Sequence, residues 1–194
     1  PHIYETAGAA IYRQSFATIR AEADLAHFSA DEEPVAVRMI HAAGMVELAA
    51  LIRFSPGFAQ TASAALANGA PVLCDARMVS EGITRARLSA NNPIICTLNA
   101  PQVPDMARAM GNTRSAAALE LWRPHLAGAA VAIGNAPTAL IHPLNILAEP
   151  DCPRPAANNG CPAGVGGRPQ ARPVRKECSS GWQCSTYRQK QCRQ

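Results

Sequence analysis

Three short apolar segments alternate with helical patterns along this chain, and they constrain its fold more than any other feature. The segments are residues 71–74, 94–98 and 129–133. Strands that are apolar on both faces are typical of a parallel sheet covered by helices, and their alternation with helices favours the same architecture. We therefore expect an α/β fold. It would be a single domain with a mostly parallel sheet, helices on both faces, and an irregular C-terminal tail.

The segments between these strands have helical periodicity. Residues 9–25 place Ile11, Phe16 and Ile19 at helical spacing among charged residues, which predicts an amphipathic helix. Ser29 and Glu32 form a capping-box pattern, which predicts a second helix reaching Ala43. Further helices are predicted at residues 55–68, 104–110, 113–126 and 137–147, and a short strand at residues 51–54.

The composition changes near residue 150. Residues 150–194 carry eight Lys or Arg and two acidic residues, whereas residues 1–149 carry ten Arg and twelve acidic residues. The second stretch has too few large apolar residues to fill a core face. We therefore predict an α/β domain over residues 1–150. Residues 151–194 are expected to be an atypical basic tail, rich in Cys, Pro and Arg, that is disordered or poorly packed.

The same tail bears on partners and location. Five of the seven cysteines lie there without zinc-ligand spacing, so we expect no metal. A basic tail can contact nucleic acid, but this one lacks stacking aromatic residues, so we expect no nucleic-acid partner. No apolar run is long enough to span a bilayer, and no secretory signal is visible. We expect a cytoplasmic protein with no membrane partner.

His41 is the first candidate for chemistry. Its imidazole can hold or release a proton near neutral pH, and it lies in a small, apolar helical segment. Arg38, three residues earlier, shares its helix face and could hold an anionic ligand against it. The alternative is a core histidine with one ring nitrogen bonded to a backbone carbonyl.

A second candidate region follows the predicted strands. Parallel sheets bind ligands beyond the carboxyl ends of their strands, and Asp75 and Gly134-Asn135 occur at such ends. The helix predicted from residue 137 would direct free backbone N–H groups toward an anion there. Ordinary strand-to-helix turns are the alternative. No glycine-rich nucleotide motif occurs in a strand–helix context.

Seven stretches, in order, resemble one known family, the precorrin-8X methylmutases of cobalamin biosynthesis. The resemblance covers roughly residues 3–150, and it is carried by residues 10–22, 37–44, 53–56, 69–76, 82–85, 111–118 and 132–140. It implies a cofactor-independent isomerase that moves a methyl group from C-11 to C-12 of precorrin-8X, giving hydrogenobyrinic acid. The cobalt-containing counterpart, cobalt-precorrin-8, is the other substrate of the family. The resemblance also implies a homodimer with its active site near the subunit interface.

The resemblance also implies roles for individual residues. His41 aligns with the proposed acid that protonates the macrocycle and promotes a sigmatropic methyl shift. The substrate carries many acetate and propionate groups, which polar side chains in the matching stretches would bind. These substrate-binding candidates are Ser15, Arg38, Thr84, Arg85, Asn112, Thr113, Arg114 and Asn135.

The chain departs from the family pattern near its C-terminus. Residues 153–157 and 160–164 resemble the start of the family's next strand and turn, but Asn158 and Asn159 stand where large aliphatic residues are expected. We hypothesise that the coding frame was lost near residue 165, which resequencing would decide. Two other functions therefore stay open: a tetrapyrrole-binding protein without turnover, and a generic α/β enzyme acting on a carboxylated metabolite.

Overall fold

The computed structural model of the chain describes residues 5–134, 136–160 and 184–185. The described helices and strands follow one another along the chain in the alternation that the sequence predicts. The helices are α1 Gly8–Glu22, α2 Glu33–Ala43, α3 Phe58–Ala67, α4 Arg77–Gly82, α5 Val103–Met110, α6 Arg114–Glu120 and α7 Pro137–Ala148. The strands are β1 Val72–Cys74, β2 Ile94–Cys96, β3 Ala130–Ile133, β4 Ala157–Gly160 and β5 Cys184–Ser185.

The strands form one sheet in the order β2-β1-β3-β4-β5. Each neighbouring pair is parallel. Strand β1 lies between β3 and β2. Its Leu73 lies opposite Val131 of β3, and its Cys74 lies opposite Cys96 of β2. The predicted α/β fold with a parallel sheet is therefore confirmed.

Strand β1 is buried on both faces. Val72 is 6% exposed, and Leu73 and Cys74 are 0% exposed, although successive side chains of a strand point to opposite faces. On one face, Leu73 packs with Val131 and with side chains from the helices that follow β2 and β3. Trp122 and Leu119 are among the fully buried members of this core. Helices therefore cover the sheet as the apolar strands predict.

The described residues fall into two compact units, one ending at Arg53 and the other beginning at Phe54. The first unit contains α1, α2 and a 3-10 helix at Val46–Ala50. In it, α1 packs on α2, and Arg20 Nε bonds to Glu33 Oε1 at 2.7 Å. The second unit contains the sheet and helices α3 to α7. No helix among the described residues combines the length and apolar character needed to cross a bilayer.

The sequence predictions for helices and strands hold with local exceptions. The strand predicted at residues 51–54 is wrong. Ile52 N donates to Leu48 O at 3.1 Å, which extends the preceding helical turn, and residues 53–54 belong to neither a helix nor a strand. Helix α3 begins at Phe58, because Gly57 adopts a left-handed φ of 73° immediately before it. Helix α6 ends at Glu120, well before residue 126, and a 3-10 helix at Arg123–His125 follows. Pro124 disfavours α-helical geometry in the residue before it.

Strand β4 lies within residues 151–194, which the sequence assigns to a tail. It pairs with β3, and Ala157 lies opposite Ala130. Regular structure therefore continues past residue 150. Residues 161–183 lie outside the described part of the chain, so the predicted character of most of the tail stays a prediction.

Replacing Leu119 by Ala tests the core on the α6 side of the sheet. Leu119 is 0% exposed, and truncating a buried leucine typically costs about 2–5 kcal/mol of unfolding free energy. Met78→Ala on α4 is the control, because Met78 is 69% exposed. Urea denaturation of both variants measures the difference. Equal losses for the two variants would contradict this description of the core.

Candidate active site

His41 lies in the last turn of α2. The helix ends at Gly44, whose φ is 66° and whose N–H donates to Ile40 O. Val37 and Ile40 are buried, at 1% exposed each, whereas His41 is only partly buried. The helix therefore presents the imidazole at the margin of the apolar contact rather than within it.

The imidazole has a side-chain partner from α1. Ser15 Oγ lies 2.7 Å from His41 Nδ1. The Tyr12 ring centroid lies 5.0 Å from that of the imidazole, and the Phe16 centroid lies 5.2 Å away with the two rings nearly perpendicular. Two aromatic rings and one hydroxyl of α1 thus hold the imidazole. The alternative of a core histidine bonded to a backbone carbonyl does not describe Nδ1, whose partner is the Ser15 hydroxyl.

Arg38 belongs to the same cluster. Its guanidinium carbon lies 5.5 Å from the centroid of the Phe16 ring, within the range of a cation–π contact. Its side chain is exposed. Among the described residues, no carboxylate forms an ion pair with it. The structure thus brings Ser15, Arg38 and His41 together around Phe16.

A second group of predicted site residues lies at the start of α6. Thr113 caps this helix, since its Oγ1 accepts a hydrogen bond from Ala116 N at 3.1 Å. The same hydroxyl lies 2.8 Å from the hydroxyl of Thr138, near the start of α7. Asn112 Oδ1 accepts from Thr113 N at 2.7 Å. These side chains therefore hold the beginnings of α6 and α7 together.

Arg114 lies beside this group. One of its guanidinium nitrogens is 3.4 Å from both Leu98 O and Asn99 Oδ1, in the segment that follows β2. These contacts are long for hydrogen bonds, and the side chain is exposed. The guanidinium consequently retains donors that can bind an anion.

The remaining predicted residues are less constrained. Thr84 and Arg85 follow α4 and are exposed. Burial raises the pKa of the Cys74 thiol to about 12. The positive charge of Arg85 lowers this pKa, but it is the smallest of the contributions. Cys74 is therefore a neutral thiol near neutral pH and not a nucleophile. Asn135 lies outside the described residues.

Asp75 is a feature whose environment the sequence does not reveal. It directly follows β1 and is 2% exposed. Its Oδ1 accepts a hydrogen bond from Gly134 N at 2.8 Å, whereas its Oδ2 is buried and has no hydrogen-bond partner among the described residues. Burial raises the pKa of this carboxyl, and backbone N–H groups, that of Gly134 foremost, oppose the rise. The sequence places Asp75 at the ligand-binding edge but cannot show that its carboxylate is enclosed.

No group of three or more His, Cys, Asp or Glu side chains that could hold a metal ion is found in the part of the chain that the structure describes. The polar groups at hand are hydroxyls, amides, guanidiniums and one imidazole. They can bind carboxylates and move a proton.

Asp75→Asn tests the electrostatic environment of that carboxyl. A pKa raised in the folded state means that the native protein binds this proton more tightly than the unfolded chain does. Stability from this group is complete below the unfolded pKa of about 4 and is lost as the pH rises through the folded pKa. We expect the unfolding free energy of the wild type to decline, relative to that of Asp75→Asn, as the pH rises from about 4 toward neutrality.

Urea denaturation between pH 4 and pH 8 measures this difference. Asp105→Asn is the control for loss of an acidic side chain, because Asp105 lies exposed on α5. Parallel pH dependences for the wild type and Asp75→Asn would contradict the assignment.

Comparison with known proteins identifies the family to which the chain belongs. The family model described as precorrin-8X methylmutase matches residues 10–178, so the similarity extends beyond residue 150. The chain is 56% identical to the precorrin-8X methylmutase of Pseudomonas aeruginosa over 174 residues, covering 90% of this chain and 83% of the relative. The enzyme of the same name from a Sinorhizobium species is 55% identical over 174 residues, covering 90% and 82%.

A solved structure agrees with the sequence comparisons. The crystal structure of precorrin-8X methylmutase from Thermus thermophilus superposes with a TM-score of 0.72 at 39% identity, covering 82% of this chain and 77% of that one. Family, sequence and fold point the same way. The chain belongs to the precorrin-8X methylmutase family.

Proposed function

We propose that this chain converts precorrin-8X to hydrogenobyrinic acid by moving a methyl group from C-11 to C-12, with His41 as the acid. As a member of its family, the chain is an isomerase of cobalamin biosynthesis. The observation that carries the catalytic assignment is the 2.7 Å contact between Ser15 Oγ and His41 Nδ1.

This contact supports a defined direction of proton transfer. In the charged imidazolium both ring nitrogens carry protons, and Nδ1–H can donate to the Ser15 hydroxyl. The proton on Nε2 is then the one available to the macrocycle. After transfer, the neutral ring keeps its Nδ1 proton against Ser15, so a single tautomer is favoured. A positioned acid of this kind typically accelerates a reaction by about 10²- to 10⁴-fold.

The stoichiometry of the reaction adds a requirement. An isomerisation neither consumes nor releases protons overall, so a proton delivered to the macrocycle must return before the next turnover. A histidine suits this role because it gives up and recovers a proton near neutral pH. The remaining acceleration would come from holding the macrocycle so that the migrating methyl group faces its destination.

The pairing of the arginines supports carboxylate binding. Four arginines form ion pairs with carboxylates of the chain itself: Arg20, Arg77, Arg108 and Arg123. Among the described residues, Arg38, Arg85 and Arg114 form no such pair, a property that they share with Arg13, Arg53, Arg87 and Arg154. Arginine binds carboxylates through a planar fork of donors. We assign these three guanidiniums to the acetate and propionate groups of the substrate.

Hydroxyl and amide side chains complete the proposed binding set. Ser15, Thr84, Asn112, Thr113 and Asn135 can donate hydrogen bonds to carboxylate oxygens. Thr113 and Asn112 are already fixed at the start of α6 by contacts with neighbouring residues. Groups held in this way lose little freedom when a ligand binds.

We further propose a cytoplasmic homodimer that needs neither metal nor cofactor. Ile141 and Leu144 lie one turn apart on α7 and are 59% and 51% exposed. Exposed apolar residues on one helix face support coverage by a second copy of the chain. Cys74, Cys96 and Cys152 are free thiols, which suits a reducing compartment.

Replacing His41 by Asn tests the acid. The amide cannot deliver a proton, so we expect kcat for precorrin-8X to fall at least about 100-fold, while product binding changes little. Formation of the hydrogenobyrinic acid chromophore gives the rate. His125→Asn is the control, since His125 lies exposed in the 3-10 helix after α6. Undiminished turnover by the His41 variant would remove the acid assignment.

The same assay of the wild type separates the competing functions. Spectral conversion of precorrin-8X supports the methylmutase. A bound but unchanged pigment would favour a tetrapyrrole-binding protein without turnover. Absence of binding would favour an enzyme acting on a smaller carboxylated metabolite.

Replacing Ser15 by Ala tests the orientation of the imidazole. Loss of the hydroxyl frees His41 Nδ1 from its partner, so the favoured tautomer and ring orientation are lost. We expect kcat to fall by about 10-fold, less than for the His41 variant, because the acid itself remains. Ser15→Thr keeps a hydroxyl and should recover part of the loss. Equal activity of the Ala variant and the wild type would contradict the proposed direction of transfer.

A further inference from the structure

We propose that Asp75 is a positioning residue for substrate binding, whose carboxylate holds the turn between β3 and α7 and through it the polar side chains at the starts of α6 and α7. The proposal rests on the proposed function, since it concerns the same substrate. It assigns a role to a residue that sequence analysis places at the ligand-binding edge without one.

The carboxylate joins the ends of two neighbouring strands. Cys74 of β1 lies opposite Ala132 of β3, and Asp75 N still donates to Ala132 O at 3.3 Å. Beyond that point the backbone ladder ends. The next hydrogen bond between the two strand ends is made by the Asp75 side chain, whose Oδ1 accepts the Gly134 N–H at 2.8 Å. The two residues are 59 positions apart in the sequence. Asp75, at the end of β1, therefore fixes the position of Gly134, where the chain leaves β3.

Gly134 has no room for a side chain unless its neighbours shift. A Cβ at this position would lie 2.9 Å from Val79 Cγ2 of α4 and 3.5 Å from Asp75 Oδ1. The first distance is shorter than two carbons tolerate. Gly134 thus lies close to both the carboxylate and α4, so a change at Asp75 would act directly on the position of Gly134.

The turn leads directly to groups proposed to bind substrate. It enters α7 at Pro137, and the next residue, Thr138, bonds to the Thr113 hydroxyl at 2.8 Å. Thr113 in turn caps α6, whose first residue is Arg114. A displaced turn would therefore shift the start of α7 and loosen the Thr138–Thr113 contact.

The chemistry of Asp75 favours such a role over packing alone. Enclosing a carboxylate is costly, and in the part of the chain that the structure describes Oδ2 is buried with no hydrogen-bond partner. An apolar residue would fill the same space without this cost. What the carboxylate provides is a strong acceptor for a backbone N–H. Residues that break the usual rules of burial are expected at functional sites.

The role predicts a particular kinetic signature. Asp75 acts on the geometry of binding and not on the proton, so its loss should raise KM and leave kcat within about threefold. For Asp75→Ala we expect KM for precorrin-8X to rise about tenfold, as when a hydrogen bond to a charged group is lost. Asp75→Asn keeps an acceptor for Gly134 N–H and should hold KM within about threefold of wild type. A purely structural defect would instead lower the amount of folded enzyme and leave KM unchanged.

Two further measurements connect the signature to the turn. Hydrogen exchange of the Gly134 amide in the substrate-free protein should accelerate in Asp75→Ala but not in Asp75→Asn. In a double-mutant cycle with Thr138→Val, the KM effects should be less than additive, because both changes break the same chain of contacts. Additive effects would overturn the proposed connection.

The outcomes separate this proposal from the proposed function. If wild-type protein fails to convert precorrin-8X, the function is overturned and the role of Asp75 in binding falls with it. If wild type turns over and Asp75→Ala keeps the wild-type KM or the wild-type exchange of Gly134, the role of Asp75 alone is overturned.

Discussion

Parallel pairing of short apolar strands is the constraint on which the second unit depends. Because β1, β2 and β3 run in one direction, their carboxyl ends meet at one edge. Polar side chains can lie at that edge without disturbing the core. Asp75, Thr113 and Arg114 occupy the segments around it. None of the candidate site residues lies within a described strand. The strands instead bring together polar turns that are distant in the sequence.

Chemistry in the first unit depends on a much smaller arrangement. Two helices, α1 and α2, suffice to place a hydroxyl and two aromatic rings around one imidazole. The rings of Tyr12 and Phe16 leave the His41 side chain partly exposed, so a ligand can reach the imidazole. Arg38 lies over Phe16 and brings a positive charge to the same cluster. The imidazole and the guanidinium are therefore held by the same pair of helices, and the proposed function assigns the imidazole to proton transfer and the guanidinium to a substrate carboxylate.

Much of this could be predicted from the sequence, and the exceptions have physical reasons. Apolar strands and amphipathic helices are recognisable from short stretches of sequence, so the α/β fold could be predicted from the alternation of apolar and periodic segments. The false strand at residues 51–54 has the right composition, but its first residues, Leu51 and Ile52, extend the preceding 3-10 helix by hydrogen bonds to Leu48 O. The proximity of Ser15 and His41 follows from helix packing, which no local pattern encodes. Burial of the Asp75 carboxylate depends on a residue 59 positions away, so it could not be read from the sequence around it.

The central claim is that His41 delivers a proton during the methyl shift. The most direct measurement is the single-turnover rate of precorrin-8X conversion as a function of pH, with protonation of His41 followed by NMR on the same complex. The account predicts that the rate falls as the pH rises, in step with loss of the imidazole proton. A rate that stays constant while His41 loses its proton would contradict the account.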